Sequence, residues 1–183
     1  MTKVDLSKFK NPEFHPGSLL KRILWYYTNL CFFRSGVFPV YGLKRGLLRC
    51  FGAKVGKGVV IKPHVNIKYP WNLSIGAYSW IGEGVWIDNL AQVTIKENVC
   101  LSQNAFLLTG NHNYKKQAFN LMIKPIVLEE GVWIGAKAIV CPGVTAQSHA
   151  MLSVGSVATK DLEPFSIYTG NPAVIIKKRV MED

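Results

Sequence analysis

The sequence is poor in acidic residues, histidine and cysteine, and it has no long apolar run. Asp and Glu total 11 against 22 Lys and Arg, which leaves a formal charge of +11. A charge of that size brings nucleic acid into question. The basic residues are scattered, however: Lys21 and Arg22, then Lys44, Arg45 and Arg49, then Lys115 and Lys116, then Lys177, Lys178 and Arg179. No arginine-rich stripe interleaved with aromatics occurs, and no helix-turn-helix or zinc-finger spacing, so no nucleic-acid partner is expected. A basic surface equally suits a phosphate-bearing cofactor or an anionic membrane.

The four cysteines, Cys31, Cys50, Cys100 and Cys141, are far apart and make no CxxC pair. They support neither a metal site nor a disulfide framework, and reduced thiols in a cytoplasmic protein are the simple expectation. The first 15 residues are polar and lack the pattern of a secretory signal. The greasiest stretch, 19–48, is broken by Lys21, Arg22, Arg34, Lys44 and Arg45. Its longest uncharged run, 23–33, has 11 residues and is too short to cross a bilayer.

What is present is enough apolar sequence, 49% of 183 residues, for one packed domain. Residues 1–17 read as an irregular arm. Ser18 is placed to cap a helix over about 19–33 that carries Trp25, Tyr26, Tyr27, Phe32 and Phe33. Such a helix either covers one end of the main domain or a sister subunit, or lies on a membrane interface among its flanking cations. Residues 39–51 continue as a shorter basic amphipathic piece.

From Val55 the pattern changes. Leu128, Ile134, Val140, Ala146, Leu152 and Ala158 recur at a strict period of six. Upstream, Val55, Ile61 and Ile67, then Ile75, Ile81 and Ile87, then Ile95, Leu101 and Leu107 keep the same period, with eight-residue steps between the groups. Six fits neither a helix nor a lone strand; it fits a short strand plus a corner. Three such units close a triangular coil, and stacked coils bury a core no single coil can. Gly56, Gly76, Gly82 and Gly135 follow at tight corners, where a side chain or a negative φ is costly. The expected fold is an all-β left-handed parallel β-helix with an N-terminal helical segment and a short C-terminal helix. Its boundaries are 1–52, 53–160 and 161–183. The hexads fail at about 109–124, a polar excursion of the kind in which repeat scaffolds place binding groups. Residues 174–181 read as the basic terminal helix.

The hexad run with Val132-Trp133-Ile134-Gly135 and Gly155-Ser156-Val157-Ala158-Thr159-Lys160 resembles the hexapeptide-repeat acyltransferases. Ile67-Lys68-Tyr69-Pro70-Trp71, Trp86-Ile87-Asp88-Asn89-Leu90-Ala91, Thr109-Gly110-Asn111-His112 and Ile167-Tyr168-Thr169-Gly170-Asn171-Pro172-Ala173 narrow the resemblance to the colanic-acid biosynthesis acetyltransferase type. The resemblance implies a homotrimer, with acetyl-coenzyme A lying between neighbouring subunits and no metal. It implies transfer of an acetyl group to a sugar hydroxyl, in glycan biosynthesis, on an acceptor that is free, nucleotide-linked or lipid-linked.

His112 sits where the family's catalytic histidine sits, and imidazole exchanges protons near neutral pH. Trp133 matches the tryptophan that lines the acetyl and acceptor end of the site. Thr159 and Lys160 match residues that meet the phosphate and pantetheine end, with Gly135, Ser153 and Val154 beside them. The backbone N–H near Ala136 is the expected oxyanion donor, and Asp88, Asn89 and Asn104 the expected sugar contacts. Two departures stand out. Asn113 replaces an Asp that many relatives carry after the histidine, and Val154 replaces a common Ala. Other readings remain open at this stage: an N-acetyltransferase acting on an amino sugar or a xenobiotic, or a trimeric β-helix that is non-catalytic or binds metal through three histidines.

Overall fold

Each hexad folds as a strand of two or three residues followed by a corner. The computed structural model describes residues 3–11 and 14–182. Met1, Thr2, Pro12 and Glu13 of the expected arm, and Asp183 at the other end, lie outside the described residues. Parallel strands of successive coils stack into three faces. The first face holds Lys54–Val55, Leu73–Ile75, Val93–Ile95, Ile126–Leu128 and Thr145–Ala146. The second holds Val60–Ile61, Trp80–Ile81, Cys100–Leu101, Trp133–Ile134, Met151–Leu152 and Ser166–Gly170, with Ala173–Lys178 at its edge. The third holds Asn66–Ile67, Trp86–Asp88, Phe106–Leu108, Ile139–Val140 and Val157–Ala158. The coils wind left-handed.

The hexad residues point inward and stack in register. Val55 pairs with Ile75, Ile75 with Ile95, Ile95 with Leu128 and Leu128 with Ala146. None of the aliphatic hexad residues is more than 9% exposed. Burying each large one contributes about 1.5–3 kcal/mol. All three irregularities of the repeat, the two eight-residue steps and the excursion, fall on one edge of the prism, between the third face and the first. That edge is where the scaffold can grow a loop without breaking a sheet.

The corner glycines have a different reason from the expected one. Gly56, Gly76, Gly82 and Gly135 keep negative φ, and the left-handed corner positions are taken by Gly58, Gly84, Gly131 and Gly155 and by residues such as His64, Asn104 and His149. What excludes a side chain is the next coil: a Cβ on Gly135 would lie 2.7 Å from the Val154 nitrogen, and one on Gly82 2.6 Å from the Leu101 oxygen.

Around the strands, N–H groups donate to carbonyls of the coil that follows, as Gly56 does to Ile75 and Lys62 to Ile81, while corner N–H groups such as that of Tyr78 donate back to the coil before. The first coil therefore presents carbonyls that no earlier coil can satisfy. The N-terminal helices do so with side chains. Ser18 caps α1 (Leu19–Thr28) by accepting from the Lys21 N–H at 3.4 Å, and the helix continues as one wider turn over Asn29–Phe33. Trp25, Asn29 and Phe33 form its buried stripe. From it the Trp25 Nε1 donates to the Ile67 carbonyl at 2.8 Å. From α2 (Tyr41–Cys50), Arg49 donates to Val55, Arg45 to Val59 and Lys44 to Ile61 and Lys62. Lys44 is fully buried, and burial lowers its pKa. Trp25, Phe33, Lys44, Arg45 and Arg49 are thus engaged in closing the coil. Among the described residues no helix is long and apolar enough to cross a membrane.

The expected C-terminal helix is not formed. Residues Ala173–Lys178 are a strand, antiparallel to Ser166–Gly170. The last coil leaves an open edge, and a run of β-branched Val174, Ile175 and Ile176 supplies the strand that pairs with it. Arg179 then donates to the carbonyls of Gly131 and His149 at 3.0 and 3.1 Å.

Candidate active site

The excursion is a hairpin. Gly110–His112 pairs antiparallel with Leu121–Ile123, setting His112 opposite Leu121. Thr109 roots it. This residue is wholly buried, its hydroxyl donates to the Asp88 carbonyl at 2.8 Å, and it accepts from the Ala91 N–H at 3.1 Å. Gly110 lies against Leu90, where a Cβ would come within 2.6 Å of a Leu90 methyl. The Thr-Gly-Asn-His run thus docks the hairpin on the coil below.

The His112 Nδ1 lies 2.9 Å from the Phe119 carbonyl oxygen. A carbonyl only accepts, so Nδ1 carries the proton and the neutral ring keeps its lone pair on Nε2. The ring lies flat on Phe119, with centroids 4.5 Å apart and planes 6° apart. Phe9 of the N-terminal arm abuts it at 6.0 Å. The histidine is therefore held in one tautomer and one orientation, as a general base requires. Asn113 does not contribute to this: its N–H donates to the Asn120 carbonyl, and its side chain accepts from the Lys115 N–H. The charge lost relative to an Asp is not replaced by any contact of Asn113 with the ring.

Phe9 is a residue that sequence reading missed. The arm is pinned along the same edge as the hairpin. The Asp5 N–H donates to the Gln117 carbonyl at 2.9 Å, the Lys10 N–H to the Asn120 side chain at 3.4 Å, and Phe14 packs on Tyr69 at 5.9 Å. The one available signal was two aromatic residues, Phe9 and Phe14, in an arm with few other apolar residues.

The remaining expected residues fall in two groups. Asp88, Asn89, His112, Thr159 and Lys160 share the edge between the third and first faces. Thr159 lines a groove of about 350 Å³ with Asn111, Met122 and Lys124, beside the hairpin that carries His112. The Asp88 carboxylate is 2.8 Å from the Lys68 ammonium. Asn89 is wholly buried; its amide donates to the carbonyls of Tyr69 and Asn72, and its oxygen accepts from the Tyr69 N–H. It braces the corner and offers no free donor within the protomer. Asn104, Gly135, Ala136, Ser153 and Val154 lie on the other edge of the third face, and Trp133 on the second face. Trp133 is 39% exposed and donates to the Ser102 hydroxyl. The Ala136 N–H has no acceptor among the described residues. One protomer does not bring the two groups together.

Neither coil thiol is a ready nucleophile, because burial pushes both Cys100 and Cys141 up. The other coil histidines have structural partners. His64 donates Nδ1–H to the Arg34 carbonyl, and His149 stacks on Phe165 at 4.7 Å. With His112 they occupy three different edges.

A left-handed hexapeptide coil with an oriented histidine on an edge hairpin defines the class, an acyltransferase of the hexapeptide-repeat type. The chain belongs to that family, within the group of colanic-acid acetyltransferases. It is 38% identical over 177 residues to the colanic acid biosynthesis acetyltransferase WcaF of Escherichia coli strain K12, covering 96% of this chain and 97% of that protein. It also resembles the solved structure of a galactoside acetyltransferase with coenzyme A, at 27% identity, with a TM-score of 0.77 over 87% of this chain and 80% of the other. A hexapeptide-repeat acetyltransferase of Vibrio cholerae solved with acetyl-coenzyme A shares the fold, with a TM-score of 0.81 at 23% identity over 92% and 94% of the two chains. No protein-family model matches the chain.

Proposed function

We propose that the protein transfers the acetyl group of acetyl-coenzyme A to a sugar hydroxyl. The observation that carries this reading is the pinned His112, whose Nδ1–H is held by the Phe119 carbonyl. Family membership and the coenzyme A-bound galactoside relative support the donor and the acceptor class.

An alcohol attacks a thioester poorly until a base removes its proton as the bond forms. His112 Nε2 takes that proton while the hydroxyl oxygen bonds to the thioester carbon. The tetrahedral oxyanion needs a donor, and the unengaged Ala136 N–H is the candidate. Collapse breaks the carbon–sulfur bond, and the departing thiolate takes the proton from the imidazolium. Asp88 and Asn104 are the proposed sugar contacts. Trp133, Gly135, Ser153, Val154, Thr159 and Lys160 are the proposed coenzyme contacts.

The working form is a homotrimer. Its support is the split of these residues between two edges of the protomer: packing side by side sets one chain's His112 edge against a neighbour's Ala136 edge. The proposed location is the cytoplasm, with peripheral contact at the inner face of the membrane. That contact rests on α1, where Leu19, Leu20, Ile23, Leu24, Tyr26 and Tyr27 are exposed beside Arg22 and Arg34.

Thiol release from acetyl-coenzyme A across a panel of sugars and glycolipids tests the reaction. Release with hydroxyl acceptors is expected. Turnover with amino sugars alone would move the protein to the N-acetyltransferases.

A further inference from the structure

A cavity of about 550 Å³ opens between α1 and the first coil, and none of its lining residues is among those assigned to acetyl transfer. Two features of its wall point to one kind of ligand. Arg22 and Arg34 line it, and among the described residues neither pairs with a carboxylate. Lys68, also in the wall, is already matched by Asp88. The cavity therefore carries uncompensated positive charge in a form, the guanidinium fork, that suits phosphate oxygens. Asn29, in the wall and 8% exposed, is fixed there by donating its amide to Asn66 at 2.8 Å. Tyr26, Tyr27 and Tyr69 complete the wall with aromatic faces. Their negative π surfaces attract the weakly positive C–H edges of a sugar ring.

An anion and a flat C–H surface together describe a phosphorylated sugar. The cavity also lies on the catalytic edge. Lys68 in its wall pairs with Asp88, whose carbonyl holds Thr109 at the root of the His112 hairpin. The hairpin leaves the coil two turns beyond the cavity, about 10 Å along the axis at ordinary sheet spacing. We propose that this cavity is a second acceptor subsite, taking a sugar unit that bears a phosphate while a neighbouring hydroxyl is presented to His112. The inference rests on the reading of the protein as a glycan acetyltransferase.

The test is calorimetric binding to the full chain, without coenzyme. The probes are glucose 1-phosphate and galactose 1-phosphate, against the free sugars and inorganic phosphate. A glycosyl phosphate is expected to bind about tenfold or more tightly than either component, from charge-assisted hydrogen bonds. Arg22→Ala with Arg34→Ala, both exposed positions, should abolish that preference without moving the melting temperature, and His112→Ala should leave it intact. No preference over inorganic phosphate, or a preference that survives the double substitution, overturns the proposal. A second arm places the same glycosyl phosphates on a long-chain alcohol in neutral vesicles. Tighter arginine-dependent binding there identifies a lipid-linked source, and equal or weaker arginine-dependent binding a soluble one. Arginine-dependent binding with no acetyl transfer to any sugar would sink the enzymatic reading and leave the subsite standing. Acetyl transfer that is indifferent to both arginines, with no such binding, would do the reverse.

Discussion

The imidazole of His112 and the carbonyl of Phe119 sit 2.9 Å apart across the turn of a single hairpin, with their rings stacked at 4.5 Å. One loop thus provides both the base and the group that fixes its tautomer. His112→Ala is expected to lower turnover by about 10²- to 10⁴-fold, the usual worth of general-base help. Folding should survive, since the hairpin stands off the stacked core. Thiol release and a thermal melt check both halves; a variant within about threefold of wild type would place the base elsewhere.

Phe9 touches that same ring from the N-terminal arm. Phe9→Ala removes one aromatic contact, of about 1 kcal/mol, or roughly fivefold in kcat/KM if the contact positions the base. The melting temperature should fall by no more than a few degrees, the shift a contact of that size implies. Steady-state kinetics beside a melt separates this from a general loss of stability.

Lys44 closes the first coil from a fully buried position. Lys44→Met keeps the chain length but strands the Ile61 carbonyl, at a cost of about 1–3 kcal/mol in denaturant unfolding. The pH dependence has a defined sign. Burial holds the folded pKa below the ordinary 10.5. Between the two values the unfolded chain binds more protons, so this group's contribution makes stability rise with pH up to about 10.5. The slope in that window should be smaller in the variant.

Lys160 is exposed on the edge that bears His112 and Thr159. Acetyl-coenzyme A affinity is expected to fall with added salt and with Lys160→Ala, since ions screen attraction between ammonium and phosphate. Equilibrium binding at low and high ionic strength reads both effects. Lys178 and Arg179 are already engaged with Ser166 and with the carbonyls of Gly131 and His149. Indifference to both changes would therefore send the phosphates to another cation of the coil.

Light scattering gives the oligomeric state directly. A trimer is expected, because the Ala136 and His112 edges are separated in one chain by the width of the third face. A stable monomer that still turns over would mean that one edge suffices.

The coil was legible because its cause is local and repeats: an aliphatic residue every sixth position must point inward, and the positions from Val55 to Ala158 do so. The Ser18 cap and the place of His112 in the interrupted repeat were readable for the same reason, since each depends on residues close in sequence. Tertiary structure decided what happens at the ends and edges of the stack. A coil terminus leaves backbone groups without partners, and a local pattern does not say which distant segment will satisfy them. Lys44, Arg45 and Arg49 read only as part of a basic amphipathic segment until the first coil's carbonyls are seen to need donors. Residues 174–181 look like a basic helix until the last strand is seen to need a neighbour, which Ala173–Lys178 supplies. Asn89 looks like a sugar contact until the Tyr69 corner takes up its amide. Phe9 reaches His112 only because the arm folds back along the edge, a closure made by contacts about a hundred residues away in sequence, such as Asp5 to Gln117.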